Sequence, residues 1–251
     1  MNNKPDNTRE LLRRALVSQL EMGISEVTIK RSPRRAVKSD LQTAPQAVAI
    51  SELFPDLNTE LLGRAEYESL ELHNAAICNC LKCPLGSTRT KFVYGVGNPN
   101  AKIVFVGEGP GKTEDEIGEP FVGQAGKLLD KILAAINFDR TQVYILNMVK
   151  CRPPENRAPL QEEMDACHPY LMEQLRLLRP QLICALGRVA AAGLLKTNAS
   201  LGSLRGHWHD FKGIEVIVTY HPAALLRNPE WKKDTWEDMK KLRARYDELV
   251  K

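Results

Sequence analysis

No run of about 18 apolar residues occurs in this 251-residue chain, so no membrane span is expected. The opening MNNKPDNTRE is polar and has no apolar centre, so a secretory leader is not expected either. Without export, disulfides are disfavoured. The six cysteines are then better read as metal ligands or buried thiols in a reducing, cytoplasmic setting (nucleoid-associated if the source is bacterial). Strong charge is missing as well. The formal net charge is only +4, and residues 1–47 carry all of it, with nine Lys/Arg against five Asp/Glu. Any contact of the remaining chain with nucleic acid must therefore come from placed groups and not from a general positive field. There is no internal repeat. With 43% hydrophobic and 26% charged residues, the composition is that of a globular protein, long enough for one α/β domain and an additional segment.

The chain divides near residue 58. Residues 8–22, TRELLRRALVSQLEM, have helical apolar spacing that ends at Gly23 and is suited to docking a protein partner. The polar stretch that follows holds Lys30, Arg31, Arg34, Arg35 and Lys38 with no acid among them. It reads as a solvated linker, or as a tether that touches DNA phosphates. Residues 59–251 read as the functional domain. A helix over 59–79 leads into four βα units whose strands lie at 102–109, 143–149, 181–187 and 213–222. Their helices lie near 113–136 and 160–178, at RVAAAGLL and just after YHP, and a charged helix closes the chain at 230–250. Strands alternating with helices predict a three-layer α/β/α fold around a central, mainly parallel four-stranded sheet. Ligands in such folds sit beyond the carboxyl ends of the strands. Three of these ends here are GEGPG, NMVKC and YHP.

The cysteines carry the first chemical signal. CNCLKC, beginning at Cys78, contains a C-x-x-C at Cys80 and Cys83. Cys151 opens the loop CRPPENRAP, Cys167 lies in the next helix, and Cys184 lies in the apolar strand QLICALG as a core thiol. Two local thiols and two distant ones make a four-cysteine site for zinc or for an iron–sulfur cluster, and spacing alone does not separate these. Lys82, Lys150 and Arg152 are near enough in sequence to balance the thiolate charge.

Four stretches, CLKCPLGSTRT (80–90), GEGPGKTEDEIGEPFVGQAGKLL (107–129), NMVKCRPPENRAP (147–159) and HPAALLRNP (221–229), together resemble the family four uracil-DNA glycosylases. The resemblance implies a four-iron four-sulfur cluster on Cys80, Cys83, Cys151 and Cys167, leaving Cys78 as a bystander. It also implies a monofunctional hydrolase of base excision repair, expected as a monomer, that flips uracil out of DNA and leaves an abasic site. One related group that becomes covalently attached to DNA carries a basic insertion after the asparagine motif. Here NMVKCRPP runs straight into ENRAP, so ordinary turnover is expected.

The chemistry of N-glycosyl cleavage assigns roles to the matched residues. Negative charge develops on the departing uracil and positive charge on the sugar. At a strand end, a neutral His221 suits donation to uracil O2. The Asn147 amide can pair with O4 and N3–H and reject cytosine, which presents the opposite pattern. Phe121 would stack on the flipped ring. Gly107 and Gly109 permit close approach of backbone to base and phosphate. Glu108 is the candidate for placing water or countering the sugar cation, although better-known relatives carry an aspartate one position later, where Gly109 stands. Glu114 is placed to guard the face where thymine's methyl group would lie. Leu225 is preferred over Leu226 as the wedge that fills the vacated stack, while Arg227 and Arg157 would meet DNA. GEGPG has the wrong spacing for a dinucleotide fingerprint, so no nucleotide cofactor is expected. A non-catalytic iron–sulfur adaptor and a zinc-bound nucleotide binder are the competing readings. Neither calls for Glu108, Phe121, Asn147 and His221 together.

Overall fold

The computed structural model describes residues 26–28, 47–49, 62–63 and 65–250. β1 (Glu26–Thr28) and β2 (Ala47–Ala49) form a small antiparallel ribbon within the stretch expected as linker. The helix expected over 8–22 and the basic cluster Lys30–Lys38 lie outside the described residues.

The remaining strands form one sheet. They are β3 (Val96–Gly97), β4 (Ile103–Gly107), β5 (Tyr144–Asn147), β6 (Leu182–Leu186), β7 (Trp208–Phe211) and β8 (Ile214–Thr219), in the order β3-β5-β4-β6-β8-β7. The inner four run parallel. Every residue of β4, β5 and β6 is buried, the continuous apolar run expected of strands covered on both faces. Side chains alternate between the two faces. Val104 and Val106 join one core layer, and Ile103 and Phe105 join the other.

The expected four-stranded sheet is therefore a six-stranded one, because two short antiparallel strands add to its edges. The β7–β8 hairpin turns on Lys212 and Gly213, both with positive φ (52° and 81°). This two-residue left-handed turn matches the twist of its strands. β3 is only two residues long, and a Cβ on Gly97 would collide with the Val143 carbonyl, so it pairs only as glycine.

The α-helices lying wholly among the described residues are α1 (Leu70–Ile77), α2 (Leu85–Thr88), α3 (Lys112–Ile117), α4 (Gln124–Ala135), α5 (Gln161–Leu178), α6 (Arg188–Leu195), α7 (Leu201–Leu204), α8 (Pro222–Arg227) and α9 (Lys232–Leu249). Two expectations change. Of the helix expected over 59–79, residues 59–61 and 64 lie outside the described residues, Leu62 is helical, 65–69 are not, and a helix starts again at Leu70, after Ser69 caps the Leu72 N–H. Just before it, the N–H groups of Glu66 and Tyr67 donate to the buried Glu173 carboxylate of α5 (2.6 and 2.9 Å), an arrangement incompatible with a continuous helix. The helix expected near 113–136 is two helices. Gly118, at φ 92°, ends α3, and Pro120 lies in the connection that precedes α4. That break creates the loop carrying Phe121.

α9 is tied to the sheet through a buried carboxylate. Asp238 accepts from the Thr219 hydroxyl (2.8 Å) and from Arg205 Nη2 (3.1 Å to each oxygen). Asp238→Ala leaves the Thr219 hydroxyl without its acceptor and the Arg205 guanidinium with only the more distant Asp234 (3.5 Å), so a loss of about 3 kcal/mol is expected in chemical denaturation. An unchanged midpoint and slope would contradict this tie.

Candidate active site

The carboxyl ends of β4, β5, β6 and β8 surround a cavity of about 510 Å³. Of the expected residues, Glu108, Gly109, Glu114, Phe121, Asn147, His221, Arg157 and Arg227 line it. Gly107 lies just beneath. A Cβ there would collide with Asn147 Oδ1 and sit 2.5 Å from Phe121 Cζ. Register explains the convergence, since Gly107 and Asn147 are paired residues at the ends of neighbouring parallel strands. The loops beyond them are also tied, with the Val149 N–H donating to the Glu108 carbonyl at 3.2 Å.

Asn147 is 2% exposed, and its Oδ1 has no hydrogen-bond partner. A buried acceptor left unpaired costs about 1–3 kcal/mol, so such groups call for an explanation. Asn147 lines the cavity, where a ligand could supply the missing partner. The backbone carbonyl of Asn147 is satisfied by Lys150 Nζ at 2.7 Å. Lys150 is fully buried, and burial lowers its pKa to about 8 against the opposing pull of Cys167 and Cys151.

His221 caps the amino end of α8. Its Nδ1 accepts the Ala223 N–H at 3.1 Å, so in the neutral ring the proton resides on Nε2, which is then a donor. Burial, reinforced by Arg227, lowers its pKa to about 4, with Glu114 opposing. The ring is neutral at ordinary pH. Gly187, at φ 88°, makes room for it, since a Cβ there would lie 2.9 Å from His221 Cβ. His73 and His209 are occupied elsewhere, by the Tyr94 hydroxyl (2.8 Å) and the Leu204 carbonyl (2.7 Å).

Phe121 lies 5.4 Å from the His221 ring, centroid to centroid. Its φ of 55° is left-handed, a conformation that costs a non-glycine residue about 1–3 kcal/mol and persists only where the surroundings enforce it. Glu114 helps to enforce it, as its Oε1 accepts the N–H groups of Val122 (3.0 Å) and Gly123 (2.8 Å). Burial raises the pKa of Glu108.

One expectation on the DNA-facing side is corrected and another is qualified. Leu225 is 1% exposed and packs into the interior, whereas Leu226 is 47% exposed. On a helix as short as α8, one residue of phase moves a side chain by about 100°. Arg157 does reach the rim, but its guanidinium grips Glu163 in a two-bond fork (2.6 and 2.9 Å). Arg188 and Arg227, like Arg157, are exposed and line the same cavity. Sequence reasoning missed Arg188 and the stacked pair Tyr220–Trp231, whose centroids are 4.6 Å apart at 18°. Tyr220 directly precedes His221, the one local hint available.

The cysteines form a second constellation. Cys151 and Cys167 are buried, while Cys80 and Cys83 are partly buried against the same core. Burial pushes the Cys151 thiol up to about 11, countered by Arg89. Burial likewise raises Cys167, opposed by Lys150 and reinforced by Cys83 and Cys80. Arg89 Nη1 reaches Cys151 Sγ at 3.3 Å and the Cys80 carbonyl at 2.6 Å, and the Tyr170 hydroxyl donates to Cys80 Sγ at 3.2 Å. Cys78 turns to the Ala75 carbonyl of its own helix. Among the described residues, no three His, Cys, Asp or Glu side chains close on a common single-ion position.

Residues 94–240 match the family model described as the uracil DNA glycosylase superfamily. The chain is 45% identical over 183 residues to a type-4 uracil-DNA glycosylase of Archaeoglobus fulgidus, covering 70% of this chain and 92% of that one. Its identity to a type-4 uracil-DNA glycosylase of Thermotoga maritima is 42% over 181 residues, covering 70% and 94%. A type-5 uracil-DNA glycosylase of Pyrobaculum aerophilum is 31% identical over 149 residues, covering 53% and 66%. Motifs, fold and site geometry agree with these matches: the chain belongs to the uracil DNA glycosylase superfamily, in its type-4 branch.

Proposed function

We infer that this cavity hydrolyses the bond between uracil and deoxyribose in DNA, leaving an abasic site. The observation that carries this is the buried, unpartnered Oδ1 of Asn147 in the cavity wall. Uracil offers N3–H to that oxygen and O4 to the neighbouring amide N–H. Cytosine offers an acceptor and a donor in the reverse order and leaves both groups unpaired.

The extruded ring slides against Phe121 with its O2 toward His221 Nε2–H. As the N-glycosyl bond breaks, its electron pair stays with uracil, and the charge on O2 grows toward this donor. A neutral imidazole stabilises that charge by hydrogen bonding and keeps its proton. Glu108, as a carboxylate, holds a water below C1′ and faces the cationic sugar. The water oxygen bonds to C1′, its proton passes to the Glu108 carboxylate and on to solvent, and the uracil anion departs to be protonated by water. Glu114 stands where a 5-methyl group would need room, Leu226 fills the gap left in the stack, and Arg227 and Arg188 meet phosphates. One chain supplies every group in this scheme. No described helix is long and apolar enough to cross a membrane. Ahead of the domain, residues 1–58 would act as an accessory segment for DNA phosphates or a protein partner.

Cys80, Cys83, Cys151 and Cys167 would hold a four-iron four-sulfur cluster. The influence of the neighbouring thiols on Cys151 and Cys167, together with Arg89 and Lys150 beside them, supports a shared anionic site. Bound there, the cluster supplies a crosslink between the Cys80–Cys83 turn and the Cys151 loop.

Three outcomes test this scheme. Asn147→Leu, close in volume, should lower single-turnover cleavage of a uracil oligonucleotide by about 10²–10³ while leaving the melting temperature nearly unchanged. Activity retained within a fewfold would refute the reader role. The rate should rise with pH through the elevated pKa of Glu108, above the ordinary carboxylate value of about 4.3, and then level off, because His221 is already neutral. Glu108→Gln should be slow and lose that acid limb, and an acid limb surviving in this variant would assign it to another group. Purified protein should be brown, with iron and inorganic sulfide in equal amounts. Cys151→Ala should lose the colour, and a colourless zinc-containing wild type would overturn the cluster.

A further inference from the structure

Phe121 occupies a costly conformation, and Glu114 holds only one side of its loop. The other side is held by a residue outside the cavity and outside every motif described above. Arg140, in the segment after α4, donates from Nη1 to the Phe121 carbonyl (2.8 Å) and from Nη2 to the Pro120 carbonyl (2.6 Å). Asp130 of α4 orients the guanidinium, accepting from the same Nη1 at 3.0 Å. The peptide unit between Phe121 and Val122 is thereby fixed at both ends, its carbonyl by Arg140 and its N–H by Glu114. Gly126 completes the arrangement, because a Cβ there would collide with the Phe121 carbonyl.

We propose that Arg140, oriented by Asp130, is a positioning residue that sets the Phe121 ring against the extruded base. This rests on the reading that Phe121 stacks on uracil. The planar fork of arginine spans two successive carbonyls, which a lysine ammonium does at most one at a time. Asp130 is about half exposed and Arg140 is partly so, making the pair a poor candidate for a core-stabilising device. What the fork fixes is one backbone unit, whose side chain lines the cavity.

The test is a double-mutant cycle over Arg140→Ala and Phe121→Ala, with three readouts. These are single-turnover cleavage of a uracil oligonucleotide, affinity for free uracil, and affinity for the same oligonucleotide carrying a tetrahydrofuran abasic analogue, which offers no base to stack. Arg140→Ala should lower cleavage and uracil affinity by about tenfold, the scale of a modest misplacement of a positioning group, and leave abasic-DNA binding unchanged. Arg140→Lys should recover part of the loss. In the Phe121→Ala background, Arg140→Ala should cost nothing further. An equal loss in that background, a parallel loss of abasic-DNA binding, or no loss from Arg140→Ala would each overturn the proposal. Should Arg140→Ala fail to fold, Asp130→Asn keeps the fork and loosens its support. It should then give a smaller loss that also vanishes without Phe121, and a loss persisting without Phe121 would overturn the proposal. If Phe121→Ala alone cleaves normally, the stacking reading fails instead, which is a separate result.

Discussion

A buried amide oxygen without a hydrogen-bond partner is the feature around which this molecule is arranged. Asn147 Oδ1 pays a desolvation cost in the unliganded fold, and several otherwise unrelated features keep it in that state. Gly107 withholds a side chain that would collide with it. Lys150 satisfies the backbone carbonyl of the same residue, so the strand end is anchored while the side chain stays unpaired. Parallel pairing of β4 and β5 brings glycine and asparagine together at the sheet edge. A ligand that donates where Asn147 accepts would relieve that cost, and preorganisation of this kind would limit what must be rearranged on binding.

The same economy applies to the imidazole. A histidine near pKa 4 has lost its usual use as a proton shuttle at neutral pH and retains that of a fixed hydrogen-bond donor. Its tautomer follows from a backbone N–H at the start of α8, so the donor direction is set by secondary structure. Lys150 links this chemistry to the cysteines, since one buried ammonium contacts the Asn147 carbonyl and feels the Cys151 and Cys167 thiols. The cysteine constellation and the cavity are therefore joined through Lys150, three residues along the chain from Asn147.

Much of this was legible in the sequence, for physical reasons that differ from element to element. The parallel core strands were visible because both faces are covered, which forces uninterrupted apolar runs such as IVFVG and LICAL. Their carboxyl ends located the pocket. The edge strands were not visible: β3 is two residues long, and β7 reads WHDF, too short and too polar to show a period. The break between α3 and α4 was signalled by Gly118 and Pro120, yet the helical pattern on either side masked it. Counting from His221 favours Leu225 over Leu226, yet on a six-residue helix a shift of one residue exchanges inside for outside. Nothing in the linear order announces that Glu163 folds back onto Arg157. The Tyr220–Trp231 stack and the Arg140 clamp depend on contacts between separate segments, which no local pattern encodes.

The most direct test of the central claim compares the binding of free uracil with that of 3-methyluracil, which keeps the ring, both carbonyls and the stacking face but lacks the N3–H. Uracil should bind measurably and 3-methyluracil at least about tenfold more weakly, as expected when a donor to a buried acceptor is removed. The difference should disappear in Asn147→Leu. Equal binding of the two ligands by the unaltered protein would contradict the account, because the buried oxygen would then not be what recognises the base.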